Sequence, residues 1–257
     1  MTGLCNKAEP PARIVLSPRN QNRAKQLAEH IQNVEVAEDN QAVLRESGII
    51  FIAVPPQIVE HVSTPLTFSE DHQILSFVSG HSIEKLQSLV TPAKRIARMI
   101  PLPSIARHEG PIILSPPSPG IAALFQETGS LVEVEQETEL ETLCAVTALM
   151  APYFGLLERC VDWLGINGVK KSNAMDFTGA LFHGLGQTPD ASPGKDFAQL
   201  SIEHATPMGF NEHAYRELKK IGWYDDISKT LDLISNRLAG KAAFKDGLER
   251  PDYTKSS

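Results

Sequence analysis

The sequence lacks several features that mark particular classes of protein. Its three cysteines, Cys5, Cys144 and Cys160, form no CxxC pair and are odd in number, which argues against a zinc site or a disulfide framework. No basic segment followed by an apolar one stands at the N-terminus, so no secretory signal is predicted. The longest apolar runs, such as residues 48–56, are short for a bilayer span. We therefore expect a cytoplasmic protein with no membrane partner.

Positive charge is also scarce. The 24 lysine and arginine residues are outnumbered by 31 aspartate and glutamate residues, and the net charge is -7. A general nucleic-acid surface needs a basic face, so a small-molecule partner is expected instead. Hydrophobic residues make up 42% and charged residues 21%, as in an ordinary globular protein. A chain of 257 residues can bury a core without disulfides or metals.

The first half of the sequence alternates short apolar runs with helical patterns. Strands are predicted at residues 13–17, 34–37, 49–54, 73–78, 95–99, 112–114 and 131–134, with helices at 20–31, 41–46, 82–89 and 119–127. The run IIFIAV at 49–54 is typical of a strand with both faces buried. This alternation predicts an α/β fold with a mostly parallel, doubly wound sheet.

After residue 134 the predicted strands stop, so we place a domain boundary between residues 134 and 135. A long apolar helical stretch at 139–164 contains Pro152, where a kink is expected. Several further helices are apolar on more than one side, which predicts that residues 135–257 form an all-helical domain that dimerises. These helices are predicted at 170–185, 195–203, 211–221 and 225–238, and the polar tail at 250–257 is expected to fray.

Three motifs in the first half resemble those of one known family. The runs IIFIAVPPQ at 49–57, SFVSGHSIEKL at 76–86 and RIARMIP at 95–101 are similar, in order and spacing, to strand ends of the pyrroline-5-carboxylate reductase family. The resemblance implies a Rossmann-like, NADP-binding domain at 1–134, with the cofactor across the carboxyl ends of its strands. It also implies cofactor contacts at Ala53, Val54, Pro55, Pro56, Ser79 and Gly80.

The second half matches that family less well. The run HATPMGFNEHAYREL at 204–218 lies where the family has a TSPGGTT turn before a helix of the substrate pocket. Thr206 keeps this pattern, whereas Met208 and Asn211 depart from it. We expect Thr206 and Asn211 to contact the substrate, because a hydroxyl and an amide at a turn before a helix can hold a carboxylate or donate a hydrogen bond. A simple helix-entry role for Thr206 is equally compatible with the sequence.

The sequence contains no GxGxxG motif, which in a Rossmann domain lets the pyrophosphate approach the first helix. Residues 2–7 resemble the tail of that helix and residues 13–17 the second strand, so the sheet is expected to lack its first strand. A buried central strand contributes on the order of 10 kcal/mol, comparable with the net stability of a domain. Two explanations stay open: the true start lies upstream of Met1, which we favour, or the sheet has re-formed with an impaired phosphate site.

The residues after the second strand indicate which cofactor is preferred. This strand ends at Ser17, where an NAD enzyme usually has Asp or Glu to bind the ribose hydroxyls. Arg19, with Asn20 beside it, suits the 2′-phosphate of NADP, although Arg19 is also compatible with a solvated turn. Asn40 precedes a predicted helix as a plausible N-cap, and the resemblance also places it near the adenosine ribose.

The resemblance implies an NADP-dependent oxidoreductase that transfers a hydride to a small imine-like substrate, with proline biosynthesis as its role. The cofactor supplies the chemistry, so no activated nucleophile is needed. Neighbouring Glu–His pairs at 203–204 and 212–213 diverge by about 100° on a helix, so no metal site is expected. The alternative is a non-catalytic homodimeric relative that has lost cofactor binding.

Overall fold

A computed structural model describes residues 1–241, which divide into two compact units. The first unit comprises Met1–Cys144 and the described residues from Leu238 onward, and the second is Ala145–Arg237. The division lies inside the helix α7, Glu137–Val146, whereas the sequence analysis placed the boundary at the start of this helix. The predicted frayed tail at 250–257 lies outside the described residues.

Strands and helices alternate along the first unit, as predicted. The strands are β1 (Ile14–Leu16), β2 (Val34–Val36), β3 (Ile49–Ile52), β4 (Gln73–Ser76), β5 (Arg95–Pro101), β6 (Pro111–Ser115) and β7 (Ser130–Glu133). The helices before α7 are α1 (Thr2–Cys5), α2 (Gln21–His30), α3 (Asn40–Glu46), α4 (Val59–Ser63), α5 (Ile83–Val90) and α6 (Pro119–Phe125). The α/β, Rossmann-like class is confirmed.

The strands form two separate sheets. β1 and β2 pair in parallel, with Ile14 opposite Val34. The other five strands follow the order β3-β4-β5-β6-β7, parallel except between β5 and β6. β1 and β3 therefore each form the edge of a sheet, on the two sides of the position that the first strand of a Rossmann domain occupies.

Edge position explains why one prediction for β3 is wrong. The sequence analysis expected both faces of this strand to be buried, but Ile49 and Phe51 are each 37% exposed. Ile50 and Ile52, on the opposite face, are buried. The ring of Phe51 contacts those of Phe77 and Phe125 at centroid distances of 5.5 and 6.0 Å, which covers it only in part. Burial of a strand depends on its neighbours as well as on its own composition.

Two apolar clusters cover the two faces of the larger sheet. Neighbouring residues of a strand point to opposite faces, so Ile74 packs in one cluster and Leu75 in the other. The second cluster includes Leu4 of α1. Gly3 permits this close packing, because a Cβ atom there would lie 2.3 Å from the carbonyl oxygen of Ile105. The short helix predicted before residue 7 is thus docked on the sheet.

A buried arginine ties α7 to the first unit. Arg98 of β5 is 2% exposed, and its Nη1 lies 2.7 Å from Oε1 of Glu137 and 3.4 Å from Oε1 of Glu141. The carboxylate of Glu137 also accepts a hydrogen bond from the backbone N–H of Ile83 at 3.0 Å, at the start of α5. These contacts account for the position of the boundary between the units, which follows Glu141.

The second unit is helical. Its helices are α8 (Met150–Ile166), α9 (Lys171–Gln187), α10 (Phe197–His204), α11 (Phe210–Lys220) and α12 (Trp223–Leu238), the last ending in the first unit. The predicted kink at Pro152 is misplaced, because the helix is interrupted earlier, by a 3₁₀ turn at Thr147–Leu149. Pro152 lies in the first turn of α8, where its missing N–H breaks no helical hydrogen bond.

Much of the apolar surface of the second unit is exposed. On α9, Phe177, Leu181 and Leu185 recur every four residues and are all exposed, which places them on one face of the helix. The helical stretch Glu137–Ile166 is long and apolar enough to cross a membrane by length and composition alone, with a mean hydropathy of 1.5 over 18 residues and 11% of them buried. One such helix is weak evidence for a membrane span, because core helices of soluble proteins pass the same test.

Candidate cofactor-binding site

The predicted cofactor residues Ser17 and Asn40 meet at the carboxyl end of β1. The hydroxyl of Ser17 donates a hydrogen bond to Oδ1 of Asn40 at 2.6 Å. The backbone N–H of Arg19 donates in turn to Oγ of Ser17 at 3.4 Å. This side-chain contact therefore holds the turn after β1, which contains Arg19, against the start of α3.

The polar residues near Ser17 and Arg19 include the N-caps of two helices. Asp39 caps α3, since its Oδ1 accepts a hydrogen bond from the N–H of Ala42 at 2.7 Å. The expectation that Asn40 is the N-cap is wrong, because Asn40 is the first residue of the helix and directs its side chain to Ser17. Asn20 caps α2 by accepting from the N–H of Arg23 at 3.1 Å. Both caps satisfy N–H groups that a helix leaves unpaired.

A cavity of about 110 Å³ lies beside these residues. Its lining contains no carboxylate, and the guanidinium of Arg19 forms no ion pair with any residue in the described part of the chain, 1–241. A cation and two hydrogen-bonding side chains at such a cavity suit a phosphate monoester. The polar lining is Ser17, Arg19, Asn40 and Ser63, and the apolar lining is Val43, Leu44, Ile50, Phe51, Ile52, Ala53, Val54, Val62, Leu66 and Phe68.

The other predicted cofactor residues are not all brought to this cavity. Pro55 and Pro56 follow β3, and Pro56 begins a 3₁₀ turn, Pro56–Ile58. Ser79 and Gly80 follow β4, and Gly80 has a φ of 71°, which glycine adopts without strain. These two residues line a separate small cavity, together with Arg98, Ile100, Leu140, Glu141, Cys144 and Leu238.

Comparisons with known proteins agree with this arrangement. Residues 1–80 match a family model described as NADP oxidoreductase coenzyme F420-dependent. Pyrroline-5-carboxylate reductase 3 of Danio rerio is 25% identical over 89% of this chain and 81% of its own length. The chain is similar to pyrroline-5-carboxylate reductases over most of its length. This family is one of NAD(P)-dependent oxidoreductases, so a nicotinamide cofactor is the ligand type expected at strand ends such as those of β1 and β3.

Solved structures of pyrroline-5-carboxylate reductases share the fold. That of Coxiella burnetii superposes with a TM-score of 0.82 at 19% identity and covers 94% of this chain and 93% of its own. That of Plasmodium falciparum, with NADP bound, has a TM-score of 0.74 at 16% identity and covers 94% and 92%. The likeness extends over both units and establishes the fold of each.

One part of the family's cofactor site has no counterpart among the residues of this chain. The pyrophosphate of a dinucleotide approaches bare backbone in a glycine-rich turn after the first strand, and the sequence contains no GxGxxG. Among residues 1–241, β1 and β3 each leave one strand edge unpaired, on the two sides of the place where that strand lies in a Rossmann sheet. The residues present therefore fit the adenosine phosphate end of the cofactor better than its pyrophosphate.

The substrate residues suggested by the resemblance to pyrroline-5-carboxylate reductases lie in the second unit. Thr206 and Asn211 are exposed and flank the turn between α10 and α11. The side-chain N–H of Asn211 donates to the carbonyl oxygen of His204 at 3.0 Å, and the carbonyl of Thr206 accepts from the N–H of Gly209 at 2.8 Å. Between them Met208 adopts a φ of 59° and is 99% exposed.

Sequence reasoning missed the buried ion pair of Arg98 near Ser79 and Gly80. Its partner Glu137 is 39 residues away along the chain, so no local pattern could pair the two. The signal that was available is the arginine itself: in the run RIARMIP, Arg98 is a cation between apolar residues of a buried strand. A charge at such a position requires a buried partner.

Proposed function

We propose that this chain is an NADP-dependent oxidoreductase that transfers a hydride to the carbon of a C=N bond in a small substrate. The observation that carries the cofactor assignment is Arg19, which lines a cavity without carboxylates and whose guanidinium has no carboxylate partner within residues 1–241. NADP differs from NAD by a 2′-phosphate, which a guanidinium binds through charge-assisted hydrogen bonds. The family resemblance and the NADP bound in the relative from Plasmodium falciparum support the proposal.

The residues of the chain would bind and orient, while the bound nicotinamide supplies the hydride. Arg19 would pair with the 2′-phosphate, and Ser17 and Asn40 would position the adenosine ribose. In the second unit, the hydroxyl of Thr206 and the amide of Asn211 would hold a carboxylate of the substrate. Asn211 uses one N–H on the carbonyl oxygen of His204, which fixes the side chain and leaves a second N–H for a ligand.

We further propose that the chain acts in the cytoplasm as a homodimer that associates through the second unit, with a small molecule as its substrate and neither nucleic acid nor membrane as a partner. The exposed apolar face of α9 supports the dimer, because large exposed apolar surfaces of folded proteins mark interaction sites. A formal charge of -7 disfavours nucleic acid. Proline biosynthesis is the role that the names of the curated relatives suggest.

A second candidate function is a non-catalytic dimeric relative that keeps the scaffold and has lost cofactor binding. Two observations favour it: the sequence contains no glycine-rich loop, and the sheet is divided between β1 and β3. If the chain is such a relative, the hydrogen bond between Ser17 and Asn40 has only a structural role.

Titration of the purified chain with NADPH, followed by nucleotide fluorescence, tests the cofactor proposal. Because the pyrophosphate contacts of a glycine-rich loop are absent, we expect detectable binding that is weaker than micromolar. Arg19→Ala should weaken NADPH binding at least about tenfold and leave NADH binding unchanged, since a charge-assisted pair is lost. Arg23→Ala, a nearby exposed arginine on α2, is the matched control. Micromolar affinity of the unaltered chain, or an equal effect of Arg19→Ala on NADH, would contradict the prediction.

Turnover separates the two candidate functions. Pyrroline-5-carboxylate, the substrate named for the relatives, is incubated with the chain and excess NADPH, and proline formation is measured. Proline formed faster with NADPH than with NADH supports the oxidoreductase. No turnover of this or other cyclic imines, together with no NADPH binding, supports the non-catalytic relative that has lost cofactor binding.

A further inference from the structure

His72 is a buried histidine whose ring nitrogens both have backbone partners. It lies directly before β4 and is 8% exposed. The backbone N–H of Ser69 donates to Nδ1 at 3.0 Å, and Nε2 lies 3.0 Å from the carbonyl oxygen of Leu44. A carbonyl oxygen only accepts, and Nδ1 already accepts from an N–H group, so Nε2 carries the proton. The two partners therefore assign one neutral tautomer to the imidazole.

The hydrogen bond to Leu44 holds the end of α3. Leu44 lies in the last turn of this helix, where carbonyl groups lack partners within the helix, and Nε2 of His72 supplies a donor. The side chain of Leu44 is 4% exposed and lines the cavity of about 110 Å³ described above. His72 is not itself in the lining, so it acts on the cavity through Leu44.

The hydrogen bond to Ser69 closes a turn beside a second lining residue. Within this turn, the backbone N–H of His72 donates to the carbonyl oxygen of Ser69, and that of Asp71 donates to Oγ of Ser69, both at 3.2 Å. Phe68 directly precedes the turn, is 6% exposed and lines the same cavity. Its ring meets that of His72 edge-on at a centroid distance of 6.2 Å. The imidazole is thus bonded to the turn and packed against Phe68.

Gln41 holds the same segment to the other end of α3. Its Oε1 accepts from the backbone N–H of Thr67 at 2.8 Å, and its Nε2 donates to the carbonyl oxygen of Thr67 at 3.0 Å. Leu66 and Phe68 flank Thr67, and both line the cavity. The segment that carries them is therefore joined to α3 twice, near the start of the helix by Gln41 and near its end by His72.

We propose that His72 is a positioning residue of the cofactor cavity: its Nε2-protonated imidazole fixes Leu44 and Phe68 relative to each other, and so determines how closely a bound nucleotide fits. Packing is sensitive to such distances, because a gap of roughly 0.5–1 Å loses about a quarter to a half of the dispersion attraction between two atoms. The effect on NADPH rests on the proposed function, whereas the tautomer and the turn can be measured without cofactor.

Nitrogen NMR of the histidine side chains in the chain without ligand tests the tautomer. We expect His72 to give one signal from a protonated nitrogen, Nε2, and one from an unprotonated nitrogen, Nδ1, at neutral pH. His61, which is exposed on α4, should give averaged signals because both of its tautomers are solvated. Hydrogen exchange at the amide of Ser69 should be at least about tenfold faster in His72→Ala than in the unaltered chain.

Three variants of His72 test the effect on nucleotide binding. His72→Ala should weaken NADPH binding at least about tenfold, because the lining residues are no longer fixed. His72→Asn keeps an acceptor where Nδ1 lies, and His72→Gln keeps a donor where Nε2 lies, so each should restore part of the affinity. Val90→Ala removes a buried side chain from the same apolar cluster and should lower the melting temperature without changing NADPH affinity. His61→Ala should change neither quantity.

The outcomes separate positioning from a general loss of stability. The proposal is overturned by the opposite or an averaged tautomer of His72, by an unprotected amide at Ser69, or by an equal loss of NADPH affinity in Val90→Ala. Unchanged affinity in a folded His72→Ala variant would overturn it as well. If His72→Ala does not fold, the NMR and exchange data on the unaltered chain decide. An unaltered chain that binds no NADPH contradicts the proposed function, and the ligand-free measurements then decide whether His72 fixes the lining.

Discussion

The two units of this chain differ in how they bury apolar side chains. In the first unit, helices cover both faces of the larger sheet, and Leu75, Met99 and Leu114 are fully buried. In the second unit, large side chains such as Phe154 and Phe177 remain about two-thirds exposed, at 65% and 63%. The first unit therefore has a core of its own, whereas the second leaves large apolar side chains exposed, as at interaction sites of folded proteins.

The largest effect is expected in the core of the first unit. Leu75→Ala removes a fully buried side chain of β4 and should lower the free energy of unfolding by about 3 kcal/mol, because transfer and cavity terms add. Leu181→Ala, on the exposed face of α9, is the matched control and should lower it by less than about 1 kcal/mol in the monomer. Urea unfolding at low protein concentration measures both. Similar losses in the two variants would remove the distinction between the units.

The next effect concerns the surface of the second unit. If α9 lies in a dimer interface, Phe177→Ser should weaken dimerisation at least about tenfold, since large aromatic side chains dominate interface energies. Asp176→Ser, at the adjoining polar position of the same helix, should leave the dimer unchanged. Sedimentation velocity over a range of concentrations gives the dissociation constants. A chain that stays monomeric throughout, or that dimerises equally well with Ser at position 177, argues against this interface.

A smaller effect is expected at the polar contact that holds α7 to the first unit. Arg98→Met should lower the free energy of unfolding by about 2 kcal/mol, because it leaves the carboxylate of Glu137, 27% exposed, without its cation. The control variant Arg107→Met breaks the exposed ion pair with Glu109. It should change the free energy of unfolding by less than about 0.5 kcal/mol. Thermal unfolding of both variants compares them. Equal losses of stability in the two variants would mean that burial does not strengthen the ion pair of Arg98.

Much of the first unit could be predicted from local patterns, and the failures have physical causes. Apolar runs bounded by turn residues predicted where the strands lie along the chain. The choice between Asp39 and Asn40 as the cap of α3 could not be predicted, because both residues cap well and only backbone geometry selects one. The exposure of Ile49 and Phe51 depends on a neighbouring strand, and the pairing of Arg98 with Glu137 depends on the tertiary fold.

Within the candidate site, the sequence predicted some residues better than others. Ser17, Arg19 and Asn40 follow strands whose carboxyl ends meet, so the topology alone brings them to one cavity. Ser79 and Gly80 were assigned to the same site by resemblance, yet the structure places them at a different cavity, beside Arg98. Strand order predicts which loops share an edge of the sheet, but not which side chains share a pocket.

The smallest effect tests the exposed side of the first unit, at the sheet of β1 and β2. Arg13 donates hydrogen bonds to Glu35 at 2.8 Å and to Glu46, and the bond from Arg13 lowers the pKa of Glu35. A lowered pKa means that the pair stabilises the fold above the ordinary glutamate pKa of about 4.3 and that this contribution is lost as the pH falls through the lowered value. Because water screens the pair, Glu35→Gln should lower the melting temperature only slightly at neutral pH, and the difference should vanish towards the acid limit of folding. A difference that widens on acidification, in melting curves recorded across that range, would show that Arg13 does not act on Glu35 in this way.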